Sequence, residues 1–120
     1  MNELRDMFKR GFNLSKNFIP IGDIFFHQNY DSEHQDLLAR YIQLLQEEAV
    51  EYLRELPARK FWRPSINGKK VDVEALREEL ADLWHILIAI SIMSGCDEKG
   101  TYKLFVAKNE KNLERVKNNS

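Results

Sequence analysis

A chain of 120 residues, 43% hydrophobic and 31% charged, holds enough apolar material for one modest core and not for two. Its net charge of −1 argues against a nucleic-acid coat or a polybasic membrane patch as the main role. The lone Cys96 cannot close an internal disulfide, Met1 to Arg10 lacks the apolar segment of a signal peptide, and the longest apolar run, 83–93, falls far short of the ~20 residues of a membrane span. The expectation is a single cytoplasmic domain, 1–120, with no nucleic acid and no membrane among its partners.

Residues 2–18 carry Leu4, Met7, Phe8, Phe12, Leu14 and Phe18 around Gly11, which predicts a short helix from about Asn2 whose continuity Gly11 weakens. Ile19-Pro20-Ile21-Gly22 breaks that pattern, and Asp23 to Tyr30 adds an apolar plug of Ile24, Phe25 and Phe26. Ser32 with Gln35 three residues later reads as a capping box. The periodic run it opens extends from about Glu33 to Leu56, with Pro57 just beyond.

Residues 57–72 read as a connection, with two prolines, an Asn67-Gly68 turn signal and five basic residues. Asp72 is placed to cap a helix from about Val73 to Ser94, with Gly95 at its C′ position. Asp97 caps a last helix, about Glu98 to Lys117. No strand pattern appears, so the predicted fold is all-α, an antiparallel bundle of about four helices. Residues 83–93 are apolar on nearly every side and need cover all round, which predicts an obligate or near-obligate oligomer.

Two acid clusters stand out on the second and third long elements. At about 100° per residue, Glu47, Glu48 and Glu51 span a roughly 100° arc of one helix, with Leu37, Tyr41 and Leu44 on the side of Glu48 and Glu51. On the next helix Glu78, Glu79 and Asp82 form a similar arc, and Leu76, Leu83, Ile86 and Ile90 bracket Glu79. Carboxylates that continue apolar stripes lose hydration and call for a cation, and hard oxygen ligands suit Mg²⁺ or Mn²⁺. The plainer alternative is a pair of solvated faces with local partners, as Glu51 could find in Arg54.

The last helix offers the opposite polarity. Lys108, Asn112 and Arg115 fall at i, i+4 and i+7 with Asn109 at the edge, a set that suits phosphate oxygens and a sugar or base. Its alternative is a set of counter-charges for the helix end or the acids. In Lys60-Phe61-Trp62-Arg63, Trp62 is placed to stack on a base and Lys60 or Arg63 to touch phosphate, unless Trp62 simply closes the core. His85, three residues after Asp82, could be a ligand or a partner to one, but reads more readily as a hydrogen-bonded core residue and is left out of the site. No Walker A, Gly-rich phosphate loop or zinc spacing is present.

Glu47-Glu48-x-x-Glu51, a gap of 27 residues, then Glu79-x-x-Asp82 resembles the metal-binding signature of the all-α nucleoside triphosphate pyrophosphohydrolases, which include MazG-like enzymes and the dimeric dUTPases. Lys-Phe-Trp-Arg between the motifs and Lys108-Asn109-x-x-Asn112-x-x-Arg115 after them lean toward the dUTPase branch, and the resemblance covers roughly 35–116. It implies Mg²⁺, with Mn²⁺ as substitute, held by Glu48, Glu51, Glu79 and Asp82. It also implies Glu47 orienting or deprotonating the attacking water, and Lys108, Asn109, Asn112 and Arg115 engaging the nucleotide. The implied reaction is NTP + H₂O → NMP + PPi, by a homodimer or homotetramer. The chain is short for a dimeric dUTPase, and its Phe8, Phe12 and Phe18 region matches no uracil-reading motif, so the base stays open. Phosphoribosyl-ATP or a modified or alarmone nucleotide stays open as substrate. So does a non-catalytic, metal-binding dimerisation module.

Overall fold

The computed structural model describes residues 2–15, 30–60, 62 and 70–119. The expected break at 19–22, the apolar plug at 23–29, Phe18, Phe61, Arg63 and the Asn67-Gly68 turn lie outside the described residues. Within them the chain is all-helical and contains no strand. Among the described residues there are four α-helices, α1 (Asn2–Ser15), α2 (Ser32–Arg54), α3 (Val73–Met93) and α4 (Glu98–Asn118), with one 3₁₀ turn at Pro57–Arg59. The chain divides into two compact units, Met1–Gln28 with Ser91–Ser120, and Asn29–Ile90.

In the first unit α1 packs against α4. The buried or half-buried side of α1 is Leu4, Phe8, Gly11, Phe12 and Ser15, one face of a 3.6-residue period. Gly11 does not interrupt the helix, and the ~1 kcal/mol it forfeits relative to alanine is offset by burying that face. Met7 and Leu14, on the other side, remain exposed. Met93, at the end of α3, is fully buried, the tightest apolar position of this unit.

The turn out of α3 follows from one glycine. Cys96 N–H donates to the Ser91 carbonyl at 2.9 Å and Gly95 N–H to the Ile92 carbonyl at 3.0 Å, the paired bonds of a Schellman motif. Gly95 sits at φ 81°, where a Cβ would be strained. Asp97 then accepts the Gly100 N–H at 2.8 Å and starts α4.

In the second unit the start of α2 differs from expectation by one residue. Asp31, not Ser32, is the N-cap: its backbone is extended and its Oδ1 accepts the His34 N–H at 2.9 Å. A carboxylate is a charged acceptor at the positive end of the helix, so it outcompetes the neighbouring hydroxyl. His34 supplies the reciprocal bond, its Nδ1 accepting the Tyr30 N–H at 3.2 Å while the two rings lie 4.8 Å apart. Gln35 still reaches back, but as a donor, to the Tyr30 carbonyl at 2.6 Å. This local knot places Tyr30 at φ 56° and buries His34 to 2% exposure.

At its other end α2 stops before Pro57, and the Arg59 guanidinium donates to the carbonyls of Arg54 (3.1 Å) and Leu56 (3.3 Å), the latter also accepting the Arg59 N–H at 3.1 Å. Asp72 caps α3 as expected, accepting the Ala75 N–H at 3.1 Å. Along α3, Ile86, Ile88 and Ala89 are buried, while Val73, Leu80, Trp84 and Leu87 stay 43–48% exposed. The chain therefore buries its most apolar helix only in part and leaves an apolar stripe of Val73, Leu80, Trp84 and Leu87 at the surface. No single helix among the described residues is long and apolar enough to cross a membrane.

Candidate metal centre

Helical periodicity sets the acids of α2 in register. Glu48, Glu51 and Glu55 stand at i, i+3 and i+7 and so share a face, with half-buried Tyr41 one stripe back. Burial raises the Tyr41 phenol above its ordinary value of 10.0. On α3, Glu79 and Asp82 are one turn apart. Across the two helices, carboxylate oxygens of Glu48, Glu79 and Asp82 lie within 4.8 Å of one another. Glu48 and Glu79 are half-buried and Asp82 is exposed, so the cluster sits at the surface with its base partly withdrawn from water.

The electrostatics agree with the crowding. Glu79 is held above the ordinary glutamate value of 4.5, first by loss of hydration and then by the charges of Asp82, Glu48, Glu51 and Glu55. Glu55, half-buried, is the carboxylate that the motif reading missed. Its signal was available, since it continues the Glu48–Glu51 register by one more turn.

Of the other acids, Glu47 and Glu78 are exposed and lie outside the converging trio. Glu51 shares the face but is engaged elsewhere, its Oε1 accepting the Arg54 Nη1 at 2.8 Å. The expectation that all these acids point inward thus holds in part, for half-buried Glu48, Glu51 and Glu79. Glu47 sits nearer solvent at the outer edge of its arc, and Asp82, between Glu78 and Glu79 on its arc, is exposed as well. His85 is exposed and not in the core as expected, because it faces outward on its helix, with Nδ1 2.9 Å from the Ala81 carbonyl of the same helix.

The trio fits a small hard cation. Among three oxygens on an octahedral Mg²⁺ at most one pair is trans, about 4.2 Å apart, and the others are cis at about 2.9 Å, so side-chain rotations that draw these carboxylates together would close the cluster around one. In the metal-free protein the raised Glu79 value has a definite consequence. The folded chain holds that proton more tightly than the unfolded one, so stability falls as pH rises from about 4.5 through the raised value. Denaturant titrations in a chelator across this range are expected to show that slope, and Glu79→Gln is expected to flatten it. An unchanged slope in the variant would remove Glu79 as its source.

The remaining candidate residues are placed as follows. Lys60, directly after the 3₁₀ turn, is half-buried, and Trp62 lies in a turn with 62% of its surface exposed. The alternative of Trp62 as a plug of the core does not hold at that exposure. Lys108, Asn109, Asn112 and Arg115 are all exposed on α4, with Lys108, Asn112 and Arg115 inside an arc of about 60°. Comparison with protein-family models, with curated proteins and with solved structures returns no match.

Proposed function

We propose that this chain is a Mg²⁺-dependent nucleoside triphosphate pyrophosphohydrolase of the MazG-like and dimeric dUTPase-like kind, converting a (d)NTP to the monophosphate and pyrophosphate. The observation that carries this reading is the convergence of Glu48 with Glu79 and Asp82. Two motifs 27 residues apart in sequence contribute oxygens to one cluster, a juxtaposition that solvated helix faces do not require.

Glu48, Glu79 and Asp82, joined by Glu51 one turn away, would hold the cation. When bound, Mg²⁺ supplies positive charge that neutralises the triphosphate and favours ionisation of the attacking water. The exposed Glu47 carboxylate, adjacent to Glu48, is suited to orient that water and accept its proton. The ammonium and guanidinium of Lys108 and Arg115 suit phosphate oxygens, and the amides of Asn109 and Asn112 suit a sugar or base. Lys60 and exposed Trp62 fit a covering segment, the cation toward phosphate and the indole toward a base face.

A homodimer or homotetramer belongs to this reading, together with antiparallel packing of the helices. Exposed Val73, Leu80 and Trp84 form an apolar stripe on α3 of the kind that a subunit contact covers. The assigned compartment is the cytoplasm.

The test is pyrophosphate release with Mg²⁺ from a panel of dUTP, dCTP, dTTP, dATP, dGTP and the ribonucleotides, with Glu51→Gln as control. Preference for dUTP lost in the variant places the chain in the dUTPase-like branch, and broad release places it with the MazG-like enzymes. No release from any of them overturns the proposal and leaves the phosphoribosyl-ATP and non-catalytic readings.

A further inference from the structure

We propose that Arg54 is a built-in counter-ion of the acidic site, holding Glu51 out of it until a divalent cation takes the carboxylate over. The inference rests on the reading of Glu48, Glu79 and Asp82 as a cation site. Glu51 follows Glu48 by three residues, so the two lie about 60° apart on one side of α2. Glu51 is nevertheless absent from the converging trio, and the reason is on the same helix. Its Oε1 is bonded to Arg54 Nη1 at 2.8 Å, in an i,i+3 ion pair with side chains 61% (Arg54) and 46% (Glu51) exposed.

That pairing does two things at once. Four carboxylates, those of Asp82, Glu48, Glu51 and Glu55, act on Glu79 here, and the guanidinium offsets the charge of one of them, Glu51. It also withdraws one oxygen ligand from any incoming cation. The hold is weak by construction, because both partners face water and an exposed pair of monovalent charges gains little. A divalent ion already held by three carboxylates offers Glu51 twice the charge, so it displaces Arg54. Arg54 therefore lowers affinity for the cation without blocking the site. Its side chain is free to change without disturbing the helix end, since Arg59 bonds the Arg54 carbonyl and not its guanidinium.

Calorimetric titration of the full chain with Mg²⁺ alone, and with Mn²⁺ alone, at low ionic strength tests this. Five proteins are compared: the parent, Arg54→Gln, Glu51→Gln, the double variant of these two, and Glu48→Gln. Arg54→Gln is expected to tighten binding by roughly two- to fivefold, the scale of an exposed ion pair. Glu51→Gln is expected to weaken it, and adding Arg54→Gln to Glu51→Gln to change nothing further, because the two act through one contact. Equal tightening with and without Glu51 would overturn the proposal, marking Arg54 as a distant positive charge. So would an unchanged affinity in Arg54→Gln, while cation binding by the parent that Glu48→Gln abolishes would leave the site itself standing. Absence of cation binding by the parent would remove both.

Discussion

Glu48→Ala and Asp82→Ala, made separately, are each expected to cut Mg²⁺-dependent pyrophosphate release by about 10²- to 10³-fold or more, the scale of losing one group that stabilises charge in a transition state. Each removes one of the three carboxylates whose oxygens lie within 4.8 Å of one another, and with it a charged oxygen ligand of the cation proposed there. Neither change opens a core cavity, because Glu48 is only half-buried and Asp82 is exposed. Each also removes a negative charge that acts on Glu79. In chelator, the variants are therefore expected to melt at or slightly above the parent temperature, with unchanged helical circular dichroism. That combination separates a ligand from a structural residue, whose loss would lower activity and stability together. Activity retained in both variants would remove the site assignment.

What the chain disclosed in advance was local chemistry. Asp72, Asp97 and Gly95 mark helix ends through bonds spanning only a few residues, and each does in the fold what its type and position dictate. The cap of α2 was misread by one residue for a reason just as local. Ser32 and Gln35 match the common pattern, but Asp31 is the stronger acceptor, and the buried His34 imidazole reaches back one residue further, to the Tyr30 N–H before the cap. At the acid cluster, the periodicity of α2 and α3 sets Glu48 on one stripe and Glu79 with Asp82 on another. Which three converge was not readable from periodicity, because it depends on rotamers and on competition. Glu51 had both a metal-site reading and an Arg54 reading, and the structure shows the second contact in place. Glu55 was overlooked because it lies outside the motif spacing, although the same helical period places it on the acidic side.

Met93→Ala is expected to be the most destabilising single truncation in the described core, by about 2–5 kcal/mol. That is a large part of the ~5–15 kcal/mol that holds a domain of this size folded. Met93 has no exposed surface and occupies the last turn of α3, immediately before the Schellman turn at Gly95. Its burial loses both transfer energy and packing contacts when the thioether is cut back, and the alanine cavity cannot be refilled from solvent without wetting apolar walls. Methionine is a flexible gap-filler, so its neighbours were never locked to one shape, and relaxation would put the loss toward the lower end of that range. Val116→Ala on α4 is the matched control: with 67% of its surface exposed, it is expected to change stability by no more than about 0.5 kcal/mol. Urea denaturation of the two variants, read by circular dichroism at one protein concentration, measures both. A Met93→Ala loss below about 1 kcal/mol would show that this turn of α3 is not a packing centre. Because the acid trio lies in the other unit, the folded fraction of Met93→Ala is expected to bind Mg²⁺ as the parent does, which makes the variant a stability change without a site change.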